Sequence, residues 1–125
     1  MNKQRGGMEL VIGQKTYYML PTFESIMAFE ERAGISVMGV MRKISMEQEL
    51  SSKAIVSAVW SGVLGYYSER GEEEKAPTFN AIGRECVKAG FSTILEDVTK
   101  YILSMMASDD DREKLIQKAE DTEKK

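Results

Sequence analysis

The uncharged run from Ala54 to Ser68 does most to limit what this chain can fold into. A helix that crosses a bilayer needs about 20 predominantly apolar residues. This run is shorter, and Ser57, Ser61, Gly62 and Gly65 dilute it. It therefore reads as a helix buried inside a soluble protein. Ile55, Val56, Val59, Trp60, Val63, Leu64 and Tyr67 recur at spacings of three and four, the period of an α-helix. Ala58, Gly62 and Gly65 are small, and a glycine inside a helix costs about 0.8–1 kcal/mol relative to alanine. Close approach of another stretch of backbone would compensate.

The remaining pattern supplies the elements around that helix. Met8, Leu10 and Ile12 alternate with Glu9 and Val11, the period-two signature of a half-buried strand. Gly13-Gln14 suits a two-residue type II′ turn, and Lys15 to Leu20 returns as a second strand. A lone hairpin is marginal in water, so it must pack on helices. Pro21 closes the strand, and Thr22 caps a helix bearing Phe23, Ile26, Met27 and Phe29, which ends at Ala33-Gly34. Val37, Val40, Met41 and Ile44 mark a second helix over 35–44, and residues 45–52 read as a connector.

After the central helix, Glu69 to Ala76 reads as a charged loop. Thr78 then caps a helix whose inner face is expected to hold Phe79, Ile82, Cys86 and Val87, ending at Ala89-Gly90. A last core helix runs from Phe91 to Ala107 with Ile94, Leu95, Val98, Tyr101, Ile102, Met105 and Met106. The expectation is a mainly α chain with an N-terminal β-hairpin, an α+β bundle of about five helices. It forms a single domain over 8–107, between a flexible start at 1–7 and a charged tail at 108–125, weakly helical or disordered.

Chemistry is narrowed by what is missing. The 125 residues contain no histidine, which removes the usual general base and the commonest metal ligand. The single cysteine, Cys86, cannot form an internal disulfide and lies on an apolar face, so it reads as structural and the compartment as reducing. No signal-peptide core follows the basic start, so a cytoplasmic location is expected. Gly34 to Gly39 has the glycine spacing of a P-loop, but Val40-Met41 stand where Lys and Ser/Thr would be needed. Asp109, Asp111, Glu113 and Glu120 match offsets of a calcium loop, with Lys114 where the turn needs glycine. Glu30 and Glu31, adjacent on a helix, point in different directions and read as surface. No catalytic, cofactor-binding or metal-ligating set is expected.

Binding is the remaining kind of work. With 17 basic and 20 acidic residues the net charge is −3, and the basic residues are scattered: Arg42 and Lys43, Arg84 and Lys88. That disfavours nucleic acid. Methionine is in excess, with 9 in the chain. Its flexible side chain suits core gaps and also surfaces that repack around varied apolar helices. Met38, Met41 and Met46 are therefore candidate partner-binding residues, with Phe23 and Tyr18 behind them.

The order of the motifs adds a resemblance. A hairpin leads into Leu20-Pro21-Thr22-Phe23-Glu24-Ser25-Ile26, then Phe29-Glu30 and Ala33-Gly34-Ile35. Ala54-Ile55-Val56 with Trp60-Ser61-Gly62-Val63 follows, then Pro77-Thr78-Phe79, Ile82-Gly83 and Ala89-Gly90. Over residues 8–107 this resembles the small tail assembly chaperones of phages and gene-transfer agents. Met19 departs from the polar or basic residue frequent there, and Ser61 from alanine. The resemblance implies a non-enzymatic protein of the bacterial host cytoplasm. Its partners would be the tape-measure protein, a long helical chain, and the tail-tube protein, with homo-oligomers an option. Two other readings remain open: a small prophage DNA-binding regulator, and a structural component of the tail.

Overall fold

The computed structural model describes residues 7–107. At the N-terminal end, Gly13-Gln14 turns the chain between β1 (Met8–Ile12) and β2 (Lys15–Met19). The two strands pair antiparallel, with Ile12 opposite Lys15 and Met8 opposite Met19. Of the two turn residues only Gly13 has a positive φ, 64°, as a type II′ turn requires. Leu10, Ile12 and Met19 are buried, while Glu9 and Val11 face outward.

Five helices follow: α1 (Phe23–Ala33), α2 (Val37–Ser45), α3 (Ser52–Glu69), α4 (Phe79–Ala89) and α5 (Phe91–Met105). Thr22 and Ser25 close a capping box on α1: the Thr22 hydroxyl accepts from the Ser25 amide at 3.0 Å, and the Ser25 hydroxyl from the Thr22 amide at 2.8 Å. Gly34 ends α1 in the left-handed region at φ 72°. Ser36, Ser51 and Thr78 cap α2, α3 and α4 through the same side-chain acceptor geometry. The fold is α+β, helices around a small antiparallel hairpin, as the residue pattern predicts.

α3 is the axis, with α1, β2, α4 and α5 all packed on it. It is buried on almost every side, including Ala58, Val59, Ser61, Gly62, Val63 and Gly65. The glycines have the expected reason. A Cβ on Gly65 would overlap the Leu20 carbonyl oxygen. One on Gly62 would lie 2.7 Å from the Met19 Cβ and 2.8 Å from the Tyr101 ring. The backbone leaving the hairpin also donates from the Leu20 amide to the Gly62 carbonyl at 3.0 Å.

Several apolar residues of the helical patterns face solvent, among them Val87, Leu95 and Met106, which the pattern places in the core. On α1 the buried pair is Ser25 and Phe29, and Phe23 and Met27 are exposed on another side. On α4 the buried pair is Ile82 and Cys86, and Val87, about 100° further round the helix, is 67% exposed. Leu95 and Met106 flank the buried stripe of α5 and are also exposed. Glu30 corrects a second expectation: its carboxylate accepts from the Val37 amide at 2.9 Å and so caps the start of α2. Within the expected charged loop, Glu73–Lys75 forms one turn of 3₁₀ helix. Glu72 there pairs with Arg70 at 3.1 Å and Lys75 at 2.7 Å, and their hydrogen bonds hold its carboxyl below the usual range.

No helix among the described residues is long and apolar enough to cross a membrane. The expected flexible start, apart from Gly7, and the charged tail lie outside the described residues, as does the Asp109–Glu120 spacing.

Candidate functional site

α4 presents two faces with different fates. Ile82 and Cys86 enter the core, whereas Asn80, Gly83, Arg84 and Val87, at helical spacing, form one wall of an open groove. The first turns of α3 (Ser52, Lys53, Val56) and the start of α5 (Phe91) complete it. The groove has a volume of about 670 Å³, and its surface is mostly apolar. Gly83 keeps its floor low; a Cβ there would only touch Val56 Cγ1 at 3.6 Å.

The rim is cationic. Lys53, Arg84 and Lys88 line it, and none has a carboxylate partner among the described residues. Glu85, the nearest acid in sequence, turns to the other side of α4 and meets Lys15 of β2 at 3.5 Å. Two helix N-termini, those of α3 and α5, adjoin the same groove, and α5 has no side-chain cap. The C-terminus of α4 ends beside the start of α5, so its partial negative charge offsets the positive charge of the α5 N-terminus.

One end of the groove is held firmly. Phe79 packs edge-on against Trp60 with centroids 5.8 Å apart, and the Arg32 guanidinium lies 4.2 Å over the Phe79 ring and 5.3 Å over Trp60. A separate aromatic group forms where β2 meets the end of α3. Tyr18 stacks on Tyr66 at 5.3 Å, Tyr67 meets Tyr66 edge-on, and Arg70 covers Tyr66.

The five candidate partner residues lie apart from the groove. Met38 and Met46 are each 62% exposed, on α2 and at its C-cap, and Phe23 is 73% exposed at the start of α1. Met41 is half-buried against the core, and Tyr18 is half-buried against Tyr66. None of the five lines the groove. In the sequence Arg84 and Lys88 stand out as a basic pair, whereas the pattern places Val87 on the inner face of α4. The usable signal was the run Arg84, Val87, Lys88 and Phe91, whose apolar members share a helical side with the cations.

Two titratable groups near the hairpin sit in apolar surroundings. Burial, reinforced by Glu85, pushes the Cys86 thiol up to about 11, so it is neutral at pH 7 and a poor nucleophile. Burial also raises Tyr17, against the opposing effect of Lys15. Among the described residues, no three His, Cys, Asp or Glu side chains gather into a metal-binding group.

These features describe a small α+β domain with an apolar, basic-rimmed groove. No protein-family model matches the chain, and no curated protein or solved structure matches it at a significant level.

Proposed function

We propose that this protein is a non-enzymatic assembly chaperone of phage or prophage tails. It acts in the cytoplasm of the bacterial host, holding a helical stretch of the tape-measure protein while tail-tube subunits assemble around it. The observation that supports a binding role is the open, mostly apolar groove along α4, a shape suited to a helix laid into it. A long helical chain with exposed apolar stripes aggregates unless those stripes are covered, and a small acidic domain can cover them and keep the complex in solution. The phage context rests on the ordered motifs of residues 8–107.

Co-expression with a tape-measure protein from the same phage or prophage tests this reading. The expected result is a larger soluble fraction of the tape-measure protein and a complex that co-elutes on size exclusion. Unchanged solubility with no complex refutes it. One observation favours a nucleic-acid regulator as the second reading: the structure gathers Lys53, Arg84 and Lys88, which are scattered in the sequence. A gel shift at low salt decides that point, because a phosphate-binding protein must show it there.

A further inference from the structure

The groove carries information about its occupant, because its rim and its floor differ in chemistry. We infer that the groove between α3, α4 and α5 binds an acidic amphipathic helix of a partner protein. The apolar face of that helix lies on Val56, Val87 and Phe91, and its flanking carboxylates meet Lys53, Arg84 and Lys88. The inference deepens the binding reading above and rests on it for the kind of partner, a helix supplied by another protein.

Charge decides the sign of the occupant. The chain as a whole is acidic, at −3, yet the three cations at this rim have no carboxylate partner among the described residues. These like charges are exposed and screened by solvent, and the Lys53 ammonium lies 4.0 Å from where a Cβ on Gly34 would stand, at the end of α1. A carboxylate-bearing partner would pair with them, and the acidic remainder of the surface steers such a partner toward this face. The uncapped first turn of α5 offers further backbone donors to the same carboxylates.

Geometry decides the shape. The groove follows α4 from Phe79 to Lys88, about 14 Å at 1.5 Å per residue, or roughly two and a half turns of a partner helix, and Phe91 of α5 lies past its end. Gly83 leaves space for close approach at its middle, and Phe79, clamped by Trp60 and Arg32, closes one end. The exposed pair Phe23 and Met27 on α1 has instead the exposed acids Glu24 and Glu31 at helical spacing, a frame of the wrong sign for an acidic helix.

The test uses the full chain and a labelled, acetylated peptide of about four helical turns. The peptide has leucine at i, i+3, i+4 and i+7 and glutamate on the flanks. A second peptide replaces each glutamate by lysine, and duplex and single-stranded oligonucleotides form the other arms. Fluorescence anisotropy is expected to show the glutamate peptide binding at least about tenfold more tightly than the lysine peptide, with the difference shrinking as salt is raised.

The double variant Arg84→Glu, Lys88→Glu is expected to reverse that preference, while Val87→Asp weakens both peptides. All three positions are exposed, so circular dichroism and melting should be unchanged. Equal binding of the two peptides, retained acid preference in the double variant, or tighter binding of an oligonucleotide would overturn the inference. If a tape-measure complex forms but survives both groove variants, the groove assignment fails and the chaperone reading stands. If the glutamate peptide binds as expected and the tape-measure protein does not, the chaperone reading fails alone.

Discussion

The two ends of α3 use glycine in opposite ways. Toward its C-terminal half, Gly62 and Gly65 make room for Met19, Tyr101 and the Leu20 carbonyl, and the space is filled. Beside its N-terminal half, Gly83 of α4 makes room that nothing in the described chain occupies. A missing side chain that is filled strengthens a fold, whereas one left open shapes a surface for something else. The same residue type thus marks a seam in one region and a vacant floor in the other.

Gly65→Ala is the strongest way to break this contrast. Its Cβ meets backbone that cannot rotate away, and overpacking of this kind costs about 3 kcal/mol. Urea denaturation should show that loss, and a neutral result would mean that the seam is soft. Next comes the alkaline limb of stability. The Cys86 thiol is raised in the fold from 9.0 to about 11, so the neutral form is favoured by folding. That stability is complete below pH 9 and is lost as pH rises through about 11, on the order of 2 kcal/mol. Comparing denaturation midpoints at pH 8 and above 11 for the wild type and Cys86→Ala isolates it, because the variant should lack this component of the pH slope.

Smaller effects sharpen the comparison. Glu30→Ala leaves the Val37 amide without its acceptor and should cost about 1 kcal/mol in thermal or urea melts, most of it recovered by Glu30→Gln. Gly83→Ala should do the reverse of Gly65→Ala. It meets no clash and gains helix propensity of up to about 1 kcal/mol, so the protein melts higher even as a methyl group enters the groove floor. Ser57→Ala should also stabilise slightly, by about 1 kcal/mol or less, because the buried Ser57 hydroxyl has no hydrogen-bond partner among the described residues. A loss in that variant would reveal a hidden partner.

Local chemistry made much of this fold legible. The Gly13 turn, the Thr22 and Thr78 caps, the Gly34 stop and the small residues of α3 each follow from a short stretch of chain. The candidate site was less legible, because it depends on choices made between elements. Val87 and Cys86 are neighbours of similar hydropathy, and only the placement of α4 against α3 and α5 decides which one is buried. Lys53 is far from Arg84 in sequence and reaches the same groove only through the α3–α4 packing. Glu30 looked like ordinary surface because its partner, the Val37 amide, arrives only when α2 folds back past Gly34.

The Leu20 amide has one more consequence. Bound to a carbonyl in the middle of α3, it closes a loop of roughly forty residues, and the entropy of that closure is recovered only once α3 is formed and in place. The hairpin therefore cannot peel away as an independent flap. Its release exposes Gly62, Gly65 and the Tyr101 contact together, so opening the N-terminal end and losing the whole fold become one event. In hydrogen exchange, Leu20 should be as slow as the amides at the centre of α3, a strand-exit residue with the protection of a core helix.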